Sequence, residues 1–521
     1  MVFSKSISDY VHKLGVDPHA INSSDGDAQA PAVALDTHHP LSHYFISSSH
    51  NTYLSGNQLY GKATPEAYQK VLERGCRCIE IDVWDGEEFS SDSSSDDNTH
   101  KKPAVVDRVK KWRPDRIEPR VLHGHTATKE CSFRDVVETI GLYAFKTSDM
   151  PLIVSLEIHT THDQQLIMVE IMKEYWSDYL VENTGFDNST ALPDLEALRK
   201  KILIKVKYSD PSTTSAKTAS PPTTKRSDSS GDESQAVSVS KGKIVAELGS
   251  MGVYTRSCHF SSFDQPEARY PTHVFSLSEQ KISSISAKDP DKLFRHNKDY
   301  MLRAYPKGSR ITSSNLDPAP FWRLGVQIAA LNWQYLNEGM MLNYAMFNGT
   351  GGYVLKPAGY RNPSSHTMEK AAETGTLNLT IEVFSGQNLV PDHKKLKAYI
   401  KCELHVEEDE DVKGKGLPDD GQAKEGQYKQ KTSSAKESRD PDFGGQKLNF
   451  ANIRHVTEDL TFVRFKVMHD ISFHRDELVG WACYRLKRLR EGVRLIHLLD
   501  DEGNPTEGKL LVRVSKKFVP K

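Results

Sequence analysis

Glu80 and Asp82 stand two residues apart within the run Cys76-Arg-Cys-Ile-Glu-Ile-Asp-Val-Trp84. Side chains alternate across a β-strand, so residues i and i+2 share a face. Cys76, Cys78, Glu80 and Asp82 therefore fall on one side, and Arg77, Ile79, Ile81 and Val83 on the other. A second apolar run, 152–159, carries Glu157 on the face of Ile153, Ser155 and His159. A third, Tyr44–Ser48, leads through small polar residues to His50 and Asn51. Any one of these acids taken alone reads as a solvated or salt-bridged carboxylate. Together, Asn51, Glu80, Asp82 and Glu157 on three strand ends form an oxygen-only donor set with three anionic members. Calcium accepts such a set with water completing its shell, whereas zinc prefers nitrogen or sulfur. Cys76 and Cys78 read as small core fillers.

His50 has a second imidazole to work with, His123 in Val121-Leu-His-Gly-His-Thr126. Two imidazoles around a metal suit acid/base work near neutral pH. Nothing in the local pattern distinguishes His125 or His159 from surface or core histidines. Lys205 and Lys207 share a face of the run 201–208. Two like charges on an otherwise apolar strand are costly unless an anion lies between them. Arg303 and Tyr305 share a face of 300–305, and a guanidinium with a phenol can hold phosphate oxygens.

The elements that must position these residues alternate between strand and helix. Strands are expected at Tyr44–Ser48, Cys76–Trp84, Val121–His123, Leu152–His159, Lys201–Tyr208, about 300–305 and Gly325–Trp333. Helices are expected at Thr64–Arg74, from Ser132 to about Lys146, at His162–Tyr179 and over about 278–297. Strands alternating with helices predict a parallel sheet or barrel, whose chemistry sits at the C-terminal strand ends. Two stretches interrupt it. Residues 88–118 hold a Ser/Asp tract and a basic piece, read as an inserted loop. Residues 209–241 are rich in Ser, Thr and Pro and read as a disordered linker. After about 373 the period becomes two, in Leu377–Val383, Ala398–His405, Leu460–Val467 and Leu510–Val514, which predicts an antiparallel β-sandwich over 374–521. Residues 1–39 are polar and mixed and read as a flexible segment; Asn22–Asp27 lacks the spacing of an EF-hand loop.

Composition narrows the function classes. The chain has 521 residues, with 68 Lys and Arg against 70 Asp and Glu. Bulk charge therefore excludes nucleic acid as the main partner, and any anion recognition is local. Six cysteines do not make a disulfide framework, and no uncharged apolar run nears 18 residues. The expectation is a reduced, cytoplasmic monomer that meets membranes only peripherally.

The longer motifs resemble the eukaryotic phosphoinositide-specific phospholipases C. They are Pro40-Leu-Ser-His-Tyr-Phe-Ile-Ser-Ser-Ser-His-Asn-Thr-Tyr-Leu54, Gly75–Gly86, Leu122–Thr126, Leu152–His159, Tyr305-Pro306, Thr312–Asn315 and Gly352–Pro357. The resemblance implies an X half (40–208), a linker (209–241), a Y half (242–360) and a C2 domain (374–521). It also implies a distorted (β/α)8 barrel built jointly by X and Y. The implied activity is calcium-dependent cleavage of phosphatidylinositol 4,5-bisphosphate and related lipids at an anionic membrane surface, releasing diacylglycerol. Carried onto matching positions, Asn51, Glu80, Asp82 and Glu157 would hold Ca2+. His50 and His123 would be the catalytic pair, Glu80 or Glu157 the base, and Lys205, Lys207, Ser276, Arg303 and Tyr305 the headgroup contacts.

The chain also departs from that family. The first 39 residues fit neither a PH domain nor complete EF-hands. The linker holds Lys217, Lys225 and Arg226 against Asp210, Asp228, Asp232 and Glu233, so little charge is available for autoinhibition by repulsion from anionic membranes. On the rim Leu59 and Tyr60 remain, while Ala127 and Ser309 replace bulkier residues; Lys307 and Arg310 would carry more of the membrane contact. Lys397 stands where a calcium-binding C2 domain would have Asp, leaving Asp392, Asp470 and Asp476 as a thin cluster and implying a structural C2. The competing readings are a phosphodiesterase for another phosphodiester and a catalytically dead lipid-binding scaffold. The paired lysines with Arg303 weigh against the first, and the complete set of histidines and metal ligands against the second.

Overall fold

A computed structural model describes residues 3–86, 116–183, 185, 191–207, 244–361, 367–389, 396–406, 428–471 and 476–521. The linker expected over 209–241, nearly all of the loop expected over 88–118, and Asp392 lie outside the described residues.

Eight strands form the barrel: β1 (Tyr44–Ser49), β2 (Cys78–Trp84), β3 (Leu152–His159), β4 (Ile202–Lys205), β5 (Arg256–Cys258), β6 (His273–Ser278), β7 (Met301–Tyr305) and β8 (Ile328–Leu331). Parallel pairing runs from β5 through β6, β7, β8, β1, β2 and β3 to β4. One parallel bridge, Lys207 to Ser257, closes the seam between β4 and β5. The two halves of the sequence therefore meet twice, at that seam and along β1–β8. Apolar side chains fill the interior, among them Ile46, Cys78, Ile153, Leu203, Val274, Met301 and Ile328. Outside the strands, Ile79, Ile81 and Val83 pack with Val136, Ile140, Ile167 and Ile171 of the surrounding helices. This is the alternation that the sequence pattern predicts.

The closed end is held by a buried cation. Arg77 is fully buried, and its guanidinium donates to the carbonyls of Cys76 (2.7 Å) and Ala144 (2.6 Å). Gly352 packs against it at φ +86°, and a Cβ there would stand 2.4 Å from Arg77 Cγ. Only glycine allows that approach.

Several boundaries differ from expectation. The strand at 76–84 begins at Cys78, so Cys76 joins the outer layer while Cys78 faces the interior. The helix expected over 278–297 is two helices, Glu279–Ser286 and Pro290–Asp299. Pro290 cannot continue a helix but suits a first turn, and Asp289 caps it by accepting from the Lys292 N–H. The strand expected at Val121–His123 covers only Arg120–Val121 and pairs antiparallel to β2, so His123 stands on the turn beyond it.

The C-terminal domain is the expected antiparallel sandwich. Its strands are β9 (Gly375–Gln387), β10 (Ala398–His405), β11 (Lys429–Lys431), β12 (Asp442–Val456), β13 (Phe462–His469), β14 (Glu477–Arg485), β15 (Gly492–Leu499) and β16 (Pro505–Pro520). One sheet runs β11-β10-β13-β14 and the other β15-β16-β9-β12; among the described residues the strand pair Trp481–Leu499 joins them. Their inner faces share one core, with Leu377, Ile381, Ile400, Phe465 and Val512. The domain docks on the barrel through Phe462 and Trp481 against Trp322 and Met341. Arg464 completes the dock by pairing with Glu403 of its own domain and Glu338 of the barrel (3.0 Å).

The flexible segment expected over 1–39 is corrected by the structure. Lys5–Lys13 is a helix capped by Ser4, and it lays Ile7 and Val11 on Phe384, Leu495 and Leu511 of the sandwich. Asp27 and Gln29 then bridge the backbone of Leu495 and Leu489. Phe3, Ile7, Tyr10, Val11 and Leu14 recur at helical spacing behind Ser4, a signal in the sequence itself that points to a helix rather than a flexible segment; the partner surface on distant strands of the sandwich supplies the stabilisation. Replacing Ile7 with Ala is expected to lower the stability of the sandwich by about 2–5 kcal/mol, read from a urea titration of the full chain.

Candidate functional site

The candidate catalytic, metal and headgroup residues gather at the C-terminal ends of the barrel strands, with Lys207 exposed at the β4–β5 seam. β2 carries Glu80 and Asp82 on its inner face, and β3 sets Glu157 directly opposite Asp82. One carboxylate oxygen from each lies within 4.8 Å of the other two. Glu80 and Asp82 are buried, whereas the Glu157 side chain is 57% exposed. Burial, with Glu157 and Glu80 nearby, pushes the Asp82 carboxyl well above its ordinary range. Asp82 Oδ2 accepts from the Tyr53 hydroxyl (2.5 Å), but its Oδ1 is buried with no partner. Three crowded carboxylates with an unpartnered oxygen fit a divalent cation, whose charge would favour ionisation of all three. The oxygen-only donor set favours a hard ion such as calcium or magnesium.

Asn51 completes this edge. It follows β1 in the left-handed region, at φ +44°, a conformation that asparagine tolerates. There its backbone N–H donates to Glu80 Oε2 (2.9 Å) and its side-chain Nδ2 to Gln58 Oε1 (2.9 Å). The carboxylate of Glu157 also accepts from His159 Nε2 (2.9 Å), which holds it below its ordinary range. His159 in turn stacks on Trp84, with ring centroids 4.1 Å apart.

The two imidazoles are fixed by oxygen acceptors. His50 Nδ1 faces the amide oxygen of Asn332 (2.9 Å), and His123 Nδ1 faces the backbone carbonyl of Gln58 (2.7 Å). An amide or carbonyl oxygen only accepts, so each Nδ1 carries the proton and each Nε2 is left for other chemistry. Burial lowers the pKa of His50, opposed chiefly by the Glu80 carboxylate. The ring of His50 lies parallel to that of Tyr305, centroids 6.1 Å apart. Beside His123, Gly124 lets the chain pass Trp84: a Cβ there would stand 1.9 Å from the indole.

Cations line the opposite wall. Arg303 is buried and pairs with Glu80 (2.6 Å), and its guanidinium lies 5.4 Å from the Tyr305 ring centroid. Ser276 stands beside Arg303 in register, its buried hydroxyl without a partner. Lys205 is buried and donates to the hydroxyls of Ser155 and Ser257 (3.3 Å each). Burial, followed by the charge of Arg303, lowers it to about 8. Lys207 departs from the others. β4 ends at Lys205, but Val206 still packs in the outer layer with Ile202 and Ile204, so Lys207 keeps the face of Lys205 and lies exposed at the seam just beyond it.

The sequence motifs gave no signal for Gln58 or Asn332, because an isolated amide has no pattern. The structure also gathers a second group able to hold a metal by distance alone, Glu338, Glu403 and His405. Arg464 and Lys466 already pair with it, so fixed cations occupy the place of an ion. On the C2 domain, Asp470 pairs with Lys397 (2.6 Å) and Asp476 accepts from the Tyr399 hydroxyl (2.5 Å), so one oxygen of each is engaged.

Comparisons with known proteins agree with this geometry. The phosphatidylinositol-specific phospholipase C X domain matches residues 37–208, its Y domain 248–359, and a C2 domain 377–500. The chain is 32% identical to 1-phosphatidylinositol 4,5-bisphosphate phosphodiesterase 1 of Candida albicans, over 89% of this chain and 46% of the relative. It is 31% identical to the delta-1 enzyme of that name from Rattus norvegicus, over 95% of this chain and 63% of the relative. It thus spans about half to three fifths of the length of these relatives. The crystal structure of L. pealei PLC21 superposes with a TM-score of 0.71 at 27% identity, covering 93% of this chain and 56% of that one. With the X and Y halves closing one barrel around the carboxylates and a C2 domain docked beside it, the chain belongs to the phosphoinositide-specific phospholipase C family.

Proposed function

We propose that this chain hydrolyses the phosphodiester bond of phosphatidylinositol 4,5-bisphosphate and related phosphoinositides, with Ca2+ held by Asn51, Glu80, Asp82 and Glu157. The observation that carries this reading is the three-carboxylate cluster with its unpartnered Asp82 oxygen, set among two oriented imidazoles and the buried cations Lys205 and Arg303. The names of the relatives point the same way.

Each residue has work that its chemistry suits. Lys205, Lys207, Ser276, Arg303 and Tyr305 bind the ring phosphates, Lys207 from its exposed place at the seam. Calcium bound at the carboxylates would lower the pKa of an inositol hydroxyl and offset phosphoryl charge. Glu80 or Glu157 accepts the proton of the 2-hydroxyl, and the oxygen attacks the neighbouring phosphorus to form a cyclic phosphodiester. His123 delivers a proton through Nε2 to the departing diacylglycerol oxygen. His50 donates from Nε2 to the phosphoryl oxygen, because an anionic phosphate beside it offsets the effect of burial and favours its protonated form. Water then opens the ring with the acid and base roles reversed.

The lipid reaches this mouth from a membrane surface. No helix among the described residues is long and apolar enough to cross a membrane. Leu59, Tyr60 and Ile311 are exposed on loops at the mouth, where they can enter a bilayer edge. The ion pair of Asp470 with Lys397 supports a C2 domain that acts structurally, without its own calcium.

His50→Ala and His123→Ala are each expected to lower kcat on mixed vesicles by about 10²–10⁴-fold while leaving the thermal midpoint in place; unchanged turnover would remove these roles. Chelation of calcium is expected to abolish turnover, and Asp82→Asn to weaken calcium binding measured by calorimetry. Lys205 holds its charge below about 8. As pH rises through that value the free enzyme loses a phosphate-binding cation. For the bisphosphate, kcat/KM should therefore fall more steeply over this range than for unphosphorylated phosphatidylinositol, and the difference should vanish in Lys205→Met.

A further inference from the structure

Gln58 lies between the short strands Leu54–Ser55 and Lys62–Ala63, and it is 7% exposed. It touches the supports of both histidines and of Asn51. Its backbone carbonyl accepts from His123 Nδ1 (2.7 Å) and its Oε1 from Asn51 Nδ2 (2.9 Å). Its Nε2 donates to Ser313 Oγ (2.9 Å) and, at longer range, to Asn332 Oδ1 (3.3 Å), the oxygen that faces His50. Its backbone N–H reaches across to the carbonyl of Ile311 in the other half of the barrel (3.1 Å).

The polarity of this network follows from two backbone carbonyls. Ser313 donates its hydroxyl proton to the Gly56 carbonyl (3.0 Å), so its oxygen must accept from Gln58. That makes Gln58 Nε2 the donor and Oε1 the acceptor. Asn51 then presents Nδ2 to Gln58 and keeps Oδ1 for a cation. Likewise Asn332 Nδ2 donates to the Ser314 carbonyl (3.3 Å), so Oδ1 faces His50 and fixes the proton on its Nδ1. Reversing either amide would set two donors or two acceptors against each other, which is costly for buried groups.

We propose that Gln58 and Asn332 are positioning residues. Gln58 orients the Asn51 amide toward the cation, and Asn332 orients the His50 imidazole toward the phosphoryl group. The inference rests on the proposed function above. Outer partners of this kind typically change metal affinity or activity by about 10–100-fold.

The test uses the full chain. Gln58→Leu, which removes both polar atoms, is expected to weaken calcium binding in calorimetry by about tenfold or more, whereas Gln58→Glu, which keeps an acceptor for Asn51, stays within about threefold of wild type. Asn332→Leu is expected to lower kcat by about 10–100-fold with little change in KM, and Asn332→Asp, which keeps the acceptor, to retain most of it. In a His50→Ala background Asn332→Leu should cost nothing further, because a residue acting through His50 has nothing left to orient. Unchanged calcium affinity in Gln58→Leu, or losses from His50→Ala and Asn332→Leu that multiply, would overturn the assignment. If either Leu variant fails to melt cooperatively, the acceptor-retaining variants decide: a loss in Asn332→Asp as large as that in His50→Ala, or a tenfold weaker calcium affinity in Gln58→Glu, would equally overturn it. Full activity of His50→Ala itself would instead overturn the proposed function.

Discussion

Three carboxylates at the ends of two adjacent strands repel one another, and much of the mouth is arranged around that repulsion. Glu80, Asp82 and Glu157 bring oxygens within 4.8 Å. Opposing charge comes from Arg303, which pairs with Glu80, and from the nearby Lys205, while His159 and Tyr53 hydrogen-bond to Glu157 and Asp82. Asp82 is left with a buried, unpartnered oxygen and a raised pKa. A cavity that crowds anions in a low-dielectric setting is unfavourable by itself and becomes favourable when a divalent cation enters. Among the described residues no side chain pairs with that Asp82 oxygen, so the cluster could hold a metal ion.

On the proposed function, the same arrangement would couple metal to substrate. Arg303 neutralises Glu80 and stands in register beside Ser276, with Lys205 buried nearby. A cation at the carboxylates would compete with the guanidinium for Glu80 and leave it freer to meet a phosphate. Conversely, an anionic headgroup would draw Arg303 from Glu80 and open a ligand to the metal. Electrostatics alone thus favours joint occupation over either ligand singly.

Holding these charges in place requires a stiff frame. The barrel supplies it by closing two distant halves of the chain along β1–β8 and at the Lys207–Ser257 bridge. The sandwich is fastened to the barrel by Phe462, Trp481 and the Arg464 ion pairs. The N-terminal helix is fastened to the sandwich in turn, and Arg488 donates to the carbonyls of Ala30 and Asn348, tying that segment to the barrel. A chain of packed contacts therefore runs from the first turn of helix to the barrel wall.

The amino-acid sequence by itself determined the strand faces. Period-two alternation placed Glu80 and Asp82 inward with Ile79 and Ile81 outward, and the strand–helix alternation implied parallel pairing with polar residues at one end. The family motifs named the barrel and the sandwich. Local pattern could not reach what depends on contacts far apart in the chain. The helix Lys5–Lys13 owes its docking place to Leu495 and Leu511, and the burial of Lys205 against the exposure of Lys207 depends on where β4 meets the seam. Gln58 and Asn332 are ordinary amides until folding sets them 3.3 Å apart between the two histidines. Backbone sterics and side-chain alternation act over a few residues and are legible in sequence. Hydrogen-bond polarity and charge crowding arise only when distant strands converge, so the tertiary structure alone decided them.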